Sequence, residues 1–283
     1  MKRSRLGYWL FLAPCLIAFV VVVLYPAVSG LYYSLTDWNG IGRQANFVGL
    51  ENYAKIFTDG QFWYSFGFTA LFALVSVVLI NLVGFSLALL VTKRFRGSNF
   101  LRGVFFMPNL IGGLLLGFAW QFIFTKVFSA TGIPFLQGWL TNAPTGFLGL
   151  LIVMVWQMGG YMMIIYIAAL QSIPDSVNEA AAIDGASGKR RLFSITLPMV
   201  RPAFTIGLFL TLSNSFKLFD QNLALTKGGP NNATQMLALN IYQTAFSFNR
   251  LGEAQAKAIF FLVSVAIITG IQLYLSKRSE VEL

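Results

Sequence analysis

The sequence predicts an all-α, polytopic membrane protein with about six transmembrane helices and both termini in the cytoplasm. Three observations predict it. Hydrophobic residues make up 57% of the 283 residues and charged residues only 11%, with a mean hydropathy of +0.70, too little charge to coat a soluble domain of this size. Apolar stretches of about 20 residues, the length that crosses about 30 Å of hydrocarbon, recur along the chain. The 20 Lys and Arg residues fall in short clusters between those stretches, the pattern of membrane topology and not of a nucleic-acid surface.

Six stretches have the required length: 8–31, 66–91, 104–124, 147–170, 203–225 and 256–275. The first has the basic start and small-x-small triplet (27–29) of a secretory signal. Its apolar run is long for one, however, and Trp9, Tyr25, Tyr32 and Tyr33 stand as interfacial anchors at both ends of a retained helix. The third and fifth are the weakest, since one carries Gly112, Gly113 and Gly117 and the other Asn214, Lys217 and Asp220. Lys217 or Asp220 alone in hydrocarbon costs about 2.5–3.5 kcal/mol. Three residues apart on a continuous helix, they share a face and are expected to pair, a structural role ahead of a substrate or gate role. The aromatic stripe Trp120, Phe122 and Phe124 reads as lipid-facing or interfacial.

Orientation follows from the basic clusters. Lys2, Arg3, Arg5, Lys93, Arg94, Arg96, Arg102, Lys189, Arg190, Arg191, Arg201, Lys277 and Arg278 collect on one side, against Arg43, Lys55, Lys126, Lys227 and Arg250 on the other. The positive-inside bias puts the first set in the cytoplasm. His is absent and Cys15 is the single cysteine, so the chain assembles neither an internal disulfide nor a His/Cys metal site, and no span holds a catalytic constellation.

One stretch, EAAAIDGASGKRRLFSITLP at 179–198, is polar and basic inside this oily chain. Ser176 to Glu179 fits a capping box, Pro174 is placed to begin a helix, and Ala180, Ala181 and Ala182 are strong helix formers. Gly185 after Asp184 is a left-handed stop, and 189–195 form a second short helix before Pro198 and Pro202 block continuation. The expectation is a cytoplasmic helix–turn–helix whose small Ala face and tight turn let another surface approach Glu179 closely. GASGKRR is not a phosphate loop: only two residues separate Gly185 from Gly188, and Arg190 stands where a Ser or Thr would hold Mg²⁺. The alternative is an amphipathic loop lying on anionic lipid through Lys189, Arg190 and Arg191.

The pattern Glu179-Ala180-Ala181, Gly185, then Ile195-Thr196-Leu197-Pro198 resembles the EAA loop of permease subunits in bacterial ABC importers, without departure at the fixed positions. FVGLENY at 47–53, FFMPN at 105–109, IPDSVNEAAAIDGAS at 173–187 and TKGGP at 226–230 extend the resemblance to the maltose-permease-like branch, which imports oligosaccharides and related solutes. The resemblance implies one transmembrane permease domain over 1–283, with a cytoplasmic coupling loop at 171–201, in the bacterial inner membrane. It implies that Glu179, Ala180, Ala181, Asp184, Gly185, Leu197 and Pro198 dock on an ATPase. It implies as partners a second permease subunit forming a heterodimer, two cytoplasmic ATPase subunits and an extracytoplasmic solute-binding protein. ATP and Mg²⁺ are then used by the ATPase, and this chain, a transport subunit and no enzyme, binds no cofactor.

A neutral sugar in the membrane needs aromatic faces and amide or hydroxyl groups beside a water-filled path. Asn109 and Gly113 on the third span, Gln157 and Tyr161 on the fourth, and Thr211, Asn214 and Ser215 on the fifth supply that chemistry. By resemblance to the sugar-holding maltose permease subunit, Asn109, Gly113, Tyr161, Thr211 and Ser215 fall at or near sugar contacts. Only Tyr161 keeps the residue type, and Leu218 replaces a polar position. The competing reading is helix–helix packing. The function expected is ATP-driven import of a di- or oligosaccharide. The alternatives are a glycerol-3-phosphate or polyol-like solute on the same machinery, or a gradient-driven secondary transporter, which would show internal repeats or matching interrupted spans.

Overall fold

The protein, seen in a computed structural model, is described over residues 2–42, 44–93 and 96–278, without the side chains of 2–7 and of Asn178. Arg43 and Arg94, two of the residues that carry the orientation argument, lie outside the described residues. In chain order the helices are α1 (Tyr8–Ser34), α2 (Glu51–Thr58), α3 (Gly60–Thr92), α4 (Ser98–Phe106), α5 (Gly113–Ala130), α6 (Ala143–Gln171), α7 (Asp175–Ile183), α8 (Gly188–Met199), α9 (Arg201–Phe216), α10 (Asp220–Leu225), α11 (Leu237–Tyr242) and α12 (Leu251–Lys277). Among the described residues α1, α3, α5, α6 and α12 are each long and apolar enough to cross a membrane, and α8 with α9 makes a sixth candidate, bent by 68°. That gives five candidate spans, or six if the bent pair is one, against the about six expected from hydropathy.

Two spans are interrupted where the sequence suggests continuous helix. Pro108 cannot donate to an α-helical ladder, so 104–112 becomes the end of α4, a tight 3-10 turn over Met107–Leu110, and extended backbone at Ile111 and Gly112 before α5 starts. The fifth span stops at Phe216, and a new short helix begins at Asp220. Lys217 and Asp220 thus do not share a helix face, and the ion pairs of the described residues do not include one between them. The aromatic stripe also divides. Phe122 is exposed, whereas Phe124, two residues on and so on the opposite side of the helix, is 1% exposed and stacks on Trp139 with ring centroids 4.9 Å apart. Trp120 lies edge-on to Trp156.

The chain divides into two compact units, Met1–Trp63 with Asn240–Val263, and Tyr64–Leu239 with Ser264–Leu283. In the first, the FVGLENY run is a staple. Gly49 takes a positive φ of 59°, α2 begins at Glu51, and the buried Asn52 donates Nδ2–H to the Ser34 and Thr36 carbonyls at 2.9 and 2.8 Å. Those carbonyls lie at the last residue of α1 and just past it, where helical partners run out, so one amide satisfies two orphan acceptors. Tyr53 and Ser34 join hydroxyls at 2.9 Å. Gly252 on α12 lies so close to the Thr36 carbonyl that a Cβ would sit 2.1 Å from it.

The second unit has an apolar core from α3, α6 and α9, with Phe72, Ile80, Leu150, Val153, Met162 and Met163 fully buried. Buried polar groups in it are bonded to one another. The Tyr166 hydroxyl donates to Asn81 Oδ1, Asn81 Nδ2 donates to Thr211 Oγ1 at 3.0 Å, and Thr211 donates to the Gly207 carbonyl at 2.7 Å. Close approach of α6 to the end of α4 depends on Gly160, where a Cβ would meet the Phe105 carbonyl oxygen at 1.8 Å.

Candidate functional site

The stretch after α6 folds as the expected helix–turn–helix, with two differences. α7 begins at Asp175 with Pro174 as its N-cap, so Ser176 lies inside the first turn and the capping box at 176–179 does not form. Ser187 caps α8 instead, its hydroxyl accepting from the Arg190 amide at 3.4 Å. α8 then runs through Pro198 to Met199, because Pro198 falls in the first turn after a π segment at Leu192–Thr196, where a missing N–H costs least; the bend comes at Val200.

The turn itself is closed by Gly185. Its φ is +67°, its amide donates to the Ala182 carbonyl at 3.2 Å, and the Ala186 amide donates to the Ala181 carbonyl at 2.9 Å. That pair of bonds is the Schellman arrangement, and the left-handed residue at its centre is why glycine stands there. No atom lies within 4 Å of where a Cβ would be, so the constraint is conformational and the surface above the turn is open. Glu179, Ala180 and Asp184 are exposed, Ala181 is buried, and Leu197 and Pro198 are half-buried, with Leu197 packed on the core. Sequence reasoning passed over Ile183 and Phe193, which are 86% and 66% exposed. Large apolar side chains in a polar, basic stretch were the available signal, and they give this protrusion an apolar contact surface.

A second feature lies where the two spans break. A cavity of about 340 Å³ is lined by Asn109, Gly113, Met154, Gln157, Met158, Asn214, Lys217, Leu218, Phe219, Asp220 and Gln221. Its walls come from the 3-10 turn before α5, the start of α5, the middle of α6, and the gap between α9 and α10. Gly113 and Gly117 let α5 lie against α10: a Cβ at Gly113 would stand 2.9 Å from Asp220 Cβ, and one at Gly117 would stand 2.6 Å from Ala224 Cβ. Gln121 adds a bond from Nε2 to the Leu225 carbonyl at 3.3 Å.

Of the seven residues chosen from the sequence for substrate contact, the cavity gathers Asn109, Gly113, Gln157 and Asn214. Tyr161, Thr211 and Ser215 are not on its wall. Tyr161 is half-buried against the core, Thr211 is spent in the Asn81–Tyr166 network, and the buried Ser215 hydroxyl has no hydrogen-bond partner among the described residues. Gln221, Lys217 and Asp220 join the wall because the helix ends at Phe216 and re-aims the residues that follow. Gln157 donates Nε2–H to the Ile111 carbonyl at 3.1 Å and accepts from Gln221 Nε2. Asn109 Nδ2 faces Met158 Sδ at 3.9 Å, and Asn214 bonds back to the Leu210 carbonyl at 2.8 Å. The result is an amide-rich recess with one cation and one anion, open to a solute.

Interrupted apolar spans around a polar recess, with an exposed helix–turn–helix, are the architecture of a multi-pass membrane transport protein. Residues 80–281 match the family of binding-protein-dependent transport system inner membrane components, and the chain belongs to that family as a permease subunit of an ABC importer. It is 52% identical over 99% of its length, and 97% of the relative's, to a probable starch degradation products transport system permease protein of Thermoanaerobacterium thermosulfurigenes. It is 36% identical, over 96% of each chain, to a multiple sugar-binding transport system permease protein of Streptococcus mutans. A crystal structure of a bacterial ABC transporter involved in the import of the acidic polysaccharide alginate contains a chain with the same fold, at TM-score 0.84 and 21% identity over 98% of this chain and 96% of that one.

Proposed function

We propose that this chain is the subunit through which a neutral di- or oligosaccharide, delivered by an extracytoplasmic solute-binding protein, crosses the membrane. It works as one permease domain over 1–283, paired with a second permease subunit as a heterodimer. Two cytoplasmic ATPase subunits supply the ATP- and Mg²⁺-dependent step, and this chain binds no cofactor. Glu179, Ala180, Ala181, Asp184, Gly185, Leu197 and Pro198 form the contact with an ATPase through the 171–201 loop. Asn109, Gly113, Gln157 and Asn214 meet the solute, and Tyr161, Thr211 and Ser215 act behind them through packing. The observation that carries this reading is the amide-rich cavity at the two broken spans, since amides both donate to and accept from hydroxyls. Relatives named for sugar transport, 52% and 36% identical, support a sugar, and one named for sn-glycerol-3-phosphate transport, 33% identical, supports the alternative solute.

The test is uptake of maltotriose by the full complex in vesicles that hold ATP and no ion gradient. Uptake that needs the binding protein and ATP alone is the expected result; a requirement for an ion gradient would overturn it. The proposed orientation has its own check. In a Cys15→Ser background, Ser187→Cys should label with an impermeant maleimide only from the cytoplasm and Asn231→Cys only from outside. Labelling of both from one side would refute the topology.

A further inference from the structure

Gln221 is 1% exposed and lines the cavity, and its orientation is dictated from the far end of a chain of amides. The Ile111 carbonyl, freed by the break before α5, can only accept a hydrogen bond. Gln157 must therefore turn its Nε2 toward Ile111, at 3.1 Å, which leaves its Oε1 facing Gln221. Gln221 must in turn present its own Nε2–H there, as it does. Neither amide can flip without placing two acceptors, or two donors, against each other. The chain thus ends on Gln221 Oε1, a buried acceptor with no donor among the described residues, a state that folded proteins rarely leave unanswered.

Lys217 lines the same cavity yet is exposed and makes no hydrogen bond to Gln221. Gln221 stands in the first turn of α10, and the non-helical residues Lys217 to Phe219 before it allow that turn to yield toward the cavity it lines. We infer that Gln221 is a specificity-determining residue whose Oε1 accepts a hydroxyl of the passing solute. This rests on the reading of the cavity as the solute's path. A fixed acceptor selects a hydroxyl donor such as a neutral sugar ring over groups that can only accept, such as a carboxylate or a fully ionised phosphate. The polarity is set by the Ile111 carbonyl through Gln157, so Gln157 is the residue that positions Gln221.

The experiment uses the complete complex in vesicles, with maltotriose, its monodeoxy analogues and sn-glycerol 3-phosphate as probes. Gln221→Met keeps the length and removes the amide; it should raise KM for maltotriose about tenfold, the scale of one lost hydrogen bond. One monodeoxy analogue, about tenfold poorer than maltotriose for the wild type, should become its equal for Gln221→Met, a convergence that a merely structural role would not produce. If every analogue keeps its wild-type ratio, the inference is overturned. Gln221→Asn, which withdraws the oxygen by one methylene, is read against the same analogues should the Met variant fail to assemble, and unchanged ratios would again overturn it. Asn214→Leu and Gln157→Leu report on the cavity itself. Altered maltotriose uptake in these two with unaltered ratios in the Gln221 variants removes the inference alone, whereas wild-type uptake in all of them removes the cavity reading as well. A wild-type complex that takes up sn-glycerol 3-phosphate and no maltotriose overturns the sugar reading on which the inference rests.

Discussion

Gly185→Val is expected to lower solute uptake about tenfold or more while the complex still assembles in the membrane and hydrolyses ATP. The left-handed conformation costs an L-residue about 1–2 kcal/mol, with β-branched side chains worst placed to adopt it, and 1.4 kcal/mol is already a factor of ten in an equilibrium. With Gly185 forced out of a φ of +67°, the two amide bonds that close the turn open, and α7 and α8 lose their fixed angle. The surroundings are empty within 4 Å, so the variant has no internal clash to destroy the fold; the damage is to the shape that docks. Gly185→Asn, a residue that tolerates the left-handed region, should keep most of the coupling. Measuring uptake and ATPase activity of both variants in one preparation is the check, and normal coupling in Gly185→Val would remove the turn from the mechanism.

Lys257→Met should cost about 3–5 kcal/mol of stability, because it strands two carboxylates that only this lysine neutralises from inside. Lys257 is 3% exposed; its Nζ meets Asp59 at 2.8 Å, Glu253 at 3.0 Å and Thr244 at 3.1 Å, with the Phe62 ring centroid 6.0 Å away. Arg250 approaches Glu253 from the solvent side at 3.7 Å. Asp59 also accepts from the Phe62 amide at 2.9 Å, at the start of α3. Burial pushes its carboxyl up, but the bonds from Lys257 and Phe62 outweigh that and hold it below the ordinary carboxylate range. A depressed carboxyl contributes fully above the unfolded pKa of about 3.9 and loses its contribution as pH falls through the still lower folded value. The wild-type contribution is therefore steady from about pH 6 to 8. In Lys257→Met the burial that raises the Asp59 carboxyl is no longer opposed by the lysine, so the deficit, measured as thermal unfolding in detergent, should shrink as pH falls and the stranded carboxylates take up protons. Adding Asp59→Asn and Glu253→Gln should recover part of it. A single variant as stable as the wild type would show that the cluster is not needed for the fold.

The six spans and the helix–turn–helix were legible in the sequence because their signals are local: apolar length for the first, and an Ala run, a glycine and two prolines for the second. The break before α5 was also written there, in Pro108, although hydropathy averaged over it. The break after Phe216 has no comparable residue; Ser213, Asn214 and Ser215 only weaken a helix. Inside a membrane a helix is apolar on nearly every side, so periodicity does not say which face meets a neighbour. That is why Thr211 and Ser215, chosen for their hydroxyls, prove to face the packed interior. Gln221 escaped because its part is set by the Ile111 carbonyl, 110 positions earlier in the chain, and only the tertiary structure brings the two to one amide.

Gly113 and Gly117 have a practical consequence for anyone who wants this permease to carry a different cargo. On the α5 side the cavity is walled by main chain pressed against Asp220 and Ala224, so any larger residue there forces the helices apart before it touches a solute. Laboratory evolution of the cargo range should consequently accumulate changes at Met154, Met158, Asn214, Leu218 and Gln221, which line the rest of the wall, and leave the glycine side untouched.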